Sequence, residues 1–302
     1  MKQLWILVVF LSFSAFAQDD LLDLIDEEPQ TEYAFATFKG TRIINLQSNE
    51  LPAEGVMQFM IMHRFGALND EFLYNFLGLD IAQIRFSLDY SFKDWLNFGI
   101  GRSSFSKTYD GFAKMRLLRQ SKGVKNSLVG IVYYTTLNYS TLKWNDDLPH
   151  RDSDRLSYTH EFIVSRKFNK NLSLQLVPSF VHFNLVPDSE TPNDVFVLGL
   201  GGRYKVSNRV AITAEYGLQL NDNFYYNAEG VKISYNDAFS IGVDIETGGH
   251  VFQLHATNSR GLADPQWMAR TPGSWGNGDI FLGFNISRVF TLKKPKLPEE
   301  NE

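Results

Sequence analysis

Charged side chains in this sequence recur at alternate positions inside otherwise apolar segments, where a polar conduit through an apolar surrounding would need them. Arg64, Arg85, Lys114 and Arg116 fall in the first half of the chain, and Glu215, Asp244 and Glu246 in the second. Asp89, Glu161, Arg203 and His255 occupy equivalent positions in other segments. Set on facing walls, a basic and an acidic group of this kind can select ions that pass between them. The same charges can equally pair across the space and shut it. Both outcomes are consistent with the pattern. Asp89 lies on the same face as Arg85 and is expected to pair within the basic wall.

Other chemistry has weaker support. The six histidines are scattered, and His250 and His255 lie an odd number of residues apart on one segment, so they face opposite sides and cannot share a metal. There is no cysteine, which excludes thiolate zinc sites, cysteine nucleophiles, disulfides and a lipid-modified cysteine. Asn145-Asp146-Asp147 with Asp152 and Asp154 offer calcium-type oxygen ligands, but they read as a solvated link. A hydrolase working on the apolar face would need a serine beside a histidine. Ser104 stands at a rim away from His63, His160 and His250, so no catalytic residue is assigned and no cofactor is expected. Gly199-Leu200-Gly201-Gly202 resembles a phosphate loop only superficially, because a strand follows it where a helix is required. A net charge of −5 without a basic run gives no footprint for nucleic acid.

These charges need elements that keep one face wet and the other apolar. Ile84–Phe92 shows how: Ile84, Phe86, Leu88, Tyr90 and Phe92 alternate strictly with Arg85, Ser87, Asp89 and Ser91. Alternation of period two makes a β-strand with two unlike faces. About twelve such segments follow one another from Val56 to Phe290, each near the ~9–11 residues that cross a bilayer when tilted. The links between them alternate long and short, and aromatic residues such as Trp95, Tyr139, Phe168 and Tyr204 gather near segment ends. A soluble sandwich would mix its link lengths. The pattern therefore predicts an all-β chain: a single antiparallel transmembrane up-and-down β-barrel of about twelve strands, with short periplasmic turns and long extracellular loops. A barrel of that size has a narrow bore.

The chain divides into four parts on this reading. Residues 1–17 form a cleavable signal peptide, with a basic start, an apolar stretch from Leu4 to Phe13 and a small-x-small site at Ala15-Phe16-Ala17. Residues 18–54 are an acidic segment and lead-in. Asp19–Glu32 is a tail or a peptide for a periplasmic partner, and Thr37–Ser48 is a short strand, a plug or a stretch lying against the barrel interior. Residues 55–290 are the barrel and residues 291–302 a polar tail. Lipid of the outer membrane and the barrel-assembly machinery are the expected partners, with small solutes or ions as cargo.

Several short motifs carry a resemblance as a set: His63-Arg64-Phe65-Gly66, Gly78-Leu79-Asp80, Gly99-Ile100-Gly101-Arg102-Ser103-Ser104, Lys107-Thr108-Tyr109-Asp110-Gly111, Phe252-Gln253-Leu254-His255 and Gly283-Phe284-Asn285-Ile286-Ser287-Arg288. Over Thr37 to Phe290 the chain resembles an uncharacterised family of β-barrel proteins from Bacteroidota-type Gram-negative bacteria. The resemblance implies a barrel in the outer membrane and supplies no site residues. The functional expectation is a narrow pore or transport accessory for small solutes or ions. The alternatives are a non-conducting structural or partner-binding barrel and, further off, an outer-membrane hydrolase.

Overall fold

A computed structural model describes residues 30–293 except 70, 72, 146, 248 and 249. The signal peptide, most of the acidic N-terminal segment and most of the polar tail lie outside the described residues. Twelve antiparallel strands close into one barrel. They are β1 (Val56–Ala67), β2 (Ala82–Lys93), β3 (Leu96–Ser103), β4 (Thr108–Leu118), β5 (Gly130–Ser140) and β6 (Leu156–Lys167), then β7 (Leu172–Phe183), β8 (Asp194–Lys205), β9 (Val210–Gln219), β10 (Ala238–Thr247), β11 (His250–Thr257) and β12 (Phe281–Thr291). Each strand pairs with its sequence neighbours, and β12 returns to β1 through pairs such as Phe284↔His63 and Phe290↔Met57. Closure leaves no unpaired edge, the condition for backbone to cross hydrocarbon. Among the described residues no helix is long and apolar enough to cross a membrane.

The two faces follow the alternation in the sequence. On β2, Arg85, Ser87, Asp89 and Ser91 are buried inside, while Phe86, Leu88 and Phe92 are exposed outside. Two links depart from the expected rhythm. The alternation alone starts the fourth strand at Phe112 and leaves Phe105–Asp110 as a link, whereas β4 begins at Thr108, because Phe105–Lys107 forms one 3-10 turn and the link after β3 is only residues 104–107. Residues 119–129, at the end of the barrel where the turns are otherwise tight, form a longer link whose Ser121–Gly123 pairs with Thr31–Tyr33. Pro178, which has no N–H to give, sits where the β6–β7 pairing skips from Glu161↔Ser179 to Val164↔Leu176.

The interior is filled. Residues 37–52 enter from the short-turn end, and the link 258–280 folds back in from the other end, carrying a short helix, α1 (Asp264–Ala269). One apolar cluster joins Phe38, Ile43, Ile44 and Leu46 of the first insert, Trp267 and Met268 of the second, and inward Val132, Ile163, Val177 and Val197 of the wall.

Candidate functional site

The N-terminal insert is a tight loop. Ile43 N–H donates to the Leu46 carbonyl (2.9 Å) and Ser48 N–H to that of Thr41 (3.0 Å), which leaves Ile44 and Asn45 at the tip. A loop this deep must have its backbone groups satisfied by something other than a strand. Glu215 on β9 does so for the donors. Its carboxylate accepts from the N–H groups of Ile44 (3.1 Å), Asn45 (2.9 Å) and Leu46 (2.9 Å) and from the Asn45 side chain (2.8 Å). The carbonyls are met by side chains of other strands. Gln253 donates to Ile43 (2.6 Å), Asn285 to Ile44 (2.9 Å) and Gln175 to Gln47 (2.6 Å), while Lys114 Nζ donates to Thr41 (3.0 Å), Ser48 (3.0 Å) and Glu50 (3.2 Å). Charged acceptors and donors make the stronger hydrogen bonds of this set.

Apolar fit completes the seat. A β-carbon on Gly201 would stand 2.4 Å from Ile43 Cδ1, and one on Gly199 2.9 Å from Leu46 Cδ1. The glycine run that resembles a phosphate loop is therefore space cleared on β8 for the insert.

The two inserts meet at the barrel centre. Arg42 binds Asp264 of α1 in a fork, Nη1–Oδ1 at 2.7 Å and Nη2–Oδ2 at 3.0 Å, and Tyr134 Oη donates to Oδ2 at 2.7 Å. Arg64 bridges the same seam, donating to Asn45 Oδ1 (2.7 Å) and to the Ser259 carbonyl. Burial pushes the Asp264 carboxyl upward, but Arg42, helped by Arg85 and the Tyr134 hydroxyl, pulls it further down, so it rests below its ordinary value.

The remaining charges are engaged nearby. Arg85 pairs with Asp110 on β4 (Nε–Oδ1 3.0 Å, Nη2–Oδ2 2.5 Å), a partner that the alternation alone leaves in a link. Asp89 accepts from Asn97 (2.9 Å) and makes no ion pair among the described residues, unlike the pairing expected from its face. Arg116 sits at the short-turn mouth, donating to the Asp94 carbonyl (2.6 Å). Arg203 bonds Glu246 (2.5 Å) and approaches Asp244 (3.6 Å), and Glu246 also meets Lys39 (3.1 Å). Glu161 and His255 are buried with no hydrogen-bond partner for their side-chain oxygens or ring nitrogens among the described residues. The basic and acidic strands thus do not face each other across open space. The insert and local partners take up nearly all their charge.

Space survives on both sides of this septum. A cavity of about 430 Å³ opens at the short-turn mouth beside Phe38, Glu50 and Arg116. Another of about 570 Å³ opens at the long-link end, with Pro265 and Gln266 of α1 in its lining and Trp144 and Arg155 beside them. Between them lies a polar void of about 20 Å³ next to Arg42, Arg85 and Lys114, wide enough for a water. Among the described residues no cluster of histidine and carboxylate groups could hold a metal ion. On the outer face, His160 Nδ1 lies 2.7 Å from Tyr133 Oη and 3.1 Å from Thr135 Oγ1, and Ser104 is bonded to Gln83 and to the Ile84 N–H.

No curated protein matches the chain in sequence. Solved structures similar to it include the NanC porin, at 8% identity and a TM-score of 0.46, with 80% of this chain and 100% of that one covered. An outer membrane channel from Pseudomonas putida F1 has 13% identity and a TM-score of 0.47, with 80% and 97% covered. Outer membrane phospholipase A from Escherichia coli has 11% identity and a TM-score of 0.43, with 82% and 96% covered. The barrel assignment stands on this chain's own closed ladder. The family model described as membrane bound beta barrel domain (DUF5777) matches residues 38–290, nearly the whole described chain, and the protein belongs to that family of membrane-bound β-barrels.

Proposed function

We propose that the protein is an outer-membrane barrel that passes small solutes or ions only when the insert of residues 37–52 gives way. In this reading the tight turns face the periplasm, the long links face outward, and the chain is exported through its signal peptide. The observation that carries it is the pair of cavities, about 430 and 570 Å³, that open at opposite ends and stop at the Arg42–Asp264 seam. A solid scaffold has no reason to keep a vestibule at each end. The lead-in exits at the short-turn end, strapped by Thr31–Tyr33 to Ser121–Gly123, which supports the acidic Asp19–Glu32 segment as the handle for a periplasmic partner.

The native chain has no cysteine, so Leu46→Cys creates a single thiol at a fully buried position of the insert. A membrane-impermeant thiol reagent should label it slowly, and labelled protein, unable to reseat the insert, should raise solute flux into liposomes. Labelling that leaves flux unchanged would sink the gated-conduit reading in favour of a non-conducting barrel.

A further inference from the structure

The lipid-facing wall carries a built depression. On β8 and β9 the outward ladder partners Gly202 and Ala214 are the smallest side chains of their row, while Leu174, Leu200 and Tyr216 stand around them. The result is an apolar groove of about 600 Å³ running obliquely from β6 to Phe239 on β10. The rows show its slope. Val164, Leu176, Leu200, Tyr216 and Phe239 are successive ladder partners, yet Val164 lies near the short-turn end of β6 and Phe239 near the long-link end of β10. Four strand spacings of about 4.8 Å give roughly 19 Å. One leaflet offers about 15 Å of hydrocarbon.

One end of this groove is charged. Arg166 points outward at the short-turn end of β6, with its guanidinium 4.9 Å from the Phe168 ring, and both residues line the groove. A guanidinium held at the hydrocarbon boundary matches a phosphate geometrically and by charge.

We infer that this groove binds one anionic glycerophospholipid of the leaflet at the short-turn end, with its phosphate on Arg166 and an acyl chain laid across Gly202 and Ala214. The site is independent of the gating reading, because it lies on the opposite side of the wall from the insert. Arg166→Gln removes the charge at a half-buried position of the rim. Gly202→Leu fills the depression, since even a β-carbon there would touch Leu174 Cδ2 at 3.1 Å.

Native mass spectrometry of the full-length protein, released from micelles containing equal phosphatidylglycerol and phosphatidylcholine, tests the assignment. The wild type should retain one phosphatidylglycerol with about a tenfold preference over phosphatidylcholine, the scale of one charge-assisted contact. Arg166→Gln should abolish the preference while lipid still binds, and Gly202→Leu should lower retention of both lipids. Heat-modifiable gel migration checks that each variant is folded. A wild type without preference, or a preference that survives Arg166→Gln, would overturn the proposal.

Discussion

Replacing Glu215 with alanine should loosen the tip of the insert and leave the barrel folded. The carboxylate serves three backbone donors, those of Ile44, Asn45 and Leu46. A buried donor left without a partner costs about 1–3 kcal/mol, so three put the loss at roughly 3 kcal/mol or more. Ile43, Ile44 and Leu46 stay buried in the variant, at about 1.5–3 kcal/mol each. Against a polar loss near 3 kcal/mol the apolar contribution is the larger, and the insert should remain seated most of the time while opening far more often. Hydrogen exchange on the full chain in a bilayer mimetic, following peptides that cover residues 37–52, reads this directly. A loss near 3 kcal/mol corresponds to roughly 150-fold faster exchange of the tip amides. Amides of β2 and β3, on another wall, should keep their protection, and Glu215→Gln should fall between. Unchanged tip protection in Glu215→Ala would refute Glu215 as the anchor. Loss of protection throughout the barrel would make it a folding residue instead.

Other perturbations separate the parts of the septum. Arg85→Ala leaves Asp110 buried without its partner and should lower stability by about 3–5 kcal/mol, seen as an earlier denaturant midpoint. Arg42→Met should expose the insert by stranding Asp264, and adding Asp264→Leu should recover part of the loss, a coupling measured by a double-mutant cycle. Gly201→Val should push Ile43 from its seat at about 1–3 kcal/mol, raising thiol labelling of Leu46→Cys; labelling at the wild-type rate would count against the fit. Because Asp264 has a lowered folded value, its contribution is complete above the ordinary carboxylate range and is lost only as pH falls through that lowered value. The Arg42–Asp264 pair should therefore be equally formed at about pH 5 and about pH 7, so the stability lost in Arg42→Met should match at the two pH values.

The strands were legible because their physics is local. Ile84–Phe92 declares both faces within nine residues, and the twelve-strand barrel follows from repeating that pattern. The insert was legible only as one of three options. Thr37–Ser48 has no period because its backbone is satisfied by Glu215, Gln253, Asn285 and Lys114, residues far away in sequence. A signal for the filled interior was nevertheless present. Val195-Phe196-Val197-Leu198 and Val177, Phe180 and Val181 are apolar on both faces, as strands are when neither side meets water. The inward folding of α1 was similarly marked by Asp264-Pro265 followed by Trp267-Met268-Ala269, a helix start and an apolar run out of place in a solvated loop. Asp110 was missed for a smaller reason: one 3-10 turn shortened the link and moved it into a strand.

If the insert shuts the barrel and the barrel opens when the insert yields, single-channel recording of the full-length protein in planar bilayers, beside Glu215→Ala, should show it. The wild type should be closed with rare, brief openings, and the variant's open time should rise by about two orders of magnitude, following the roughly 3 kcal/mol loss at the tip. A wild type with steady open conductance, or a variant that stays closed while its tip amides exchange freely, would contradict it.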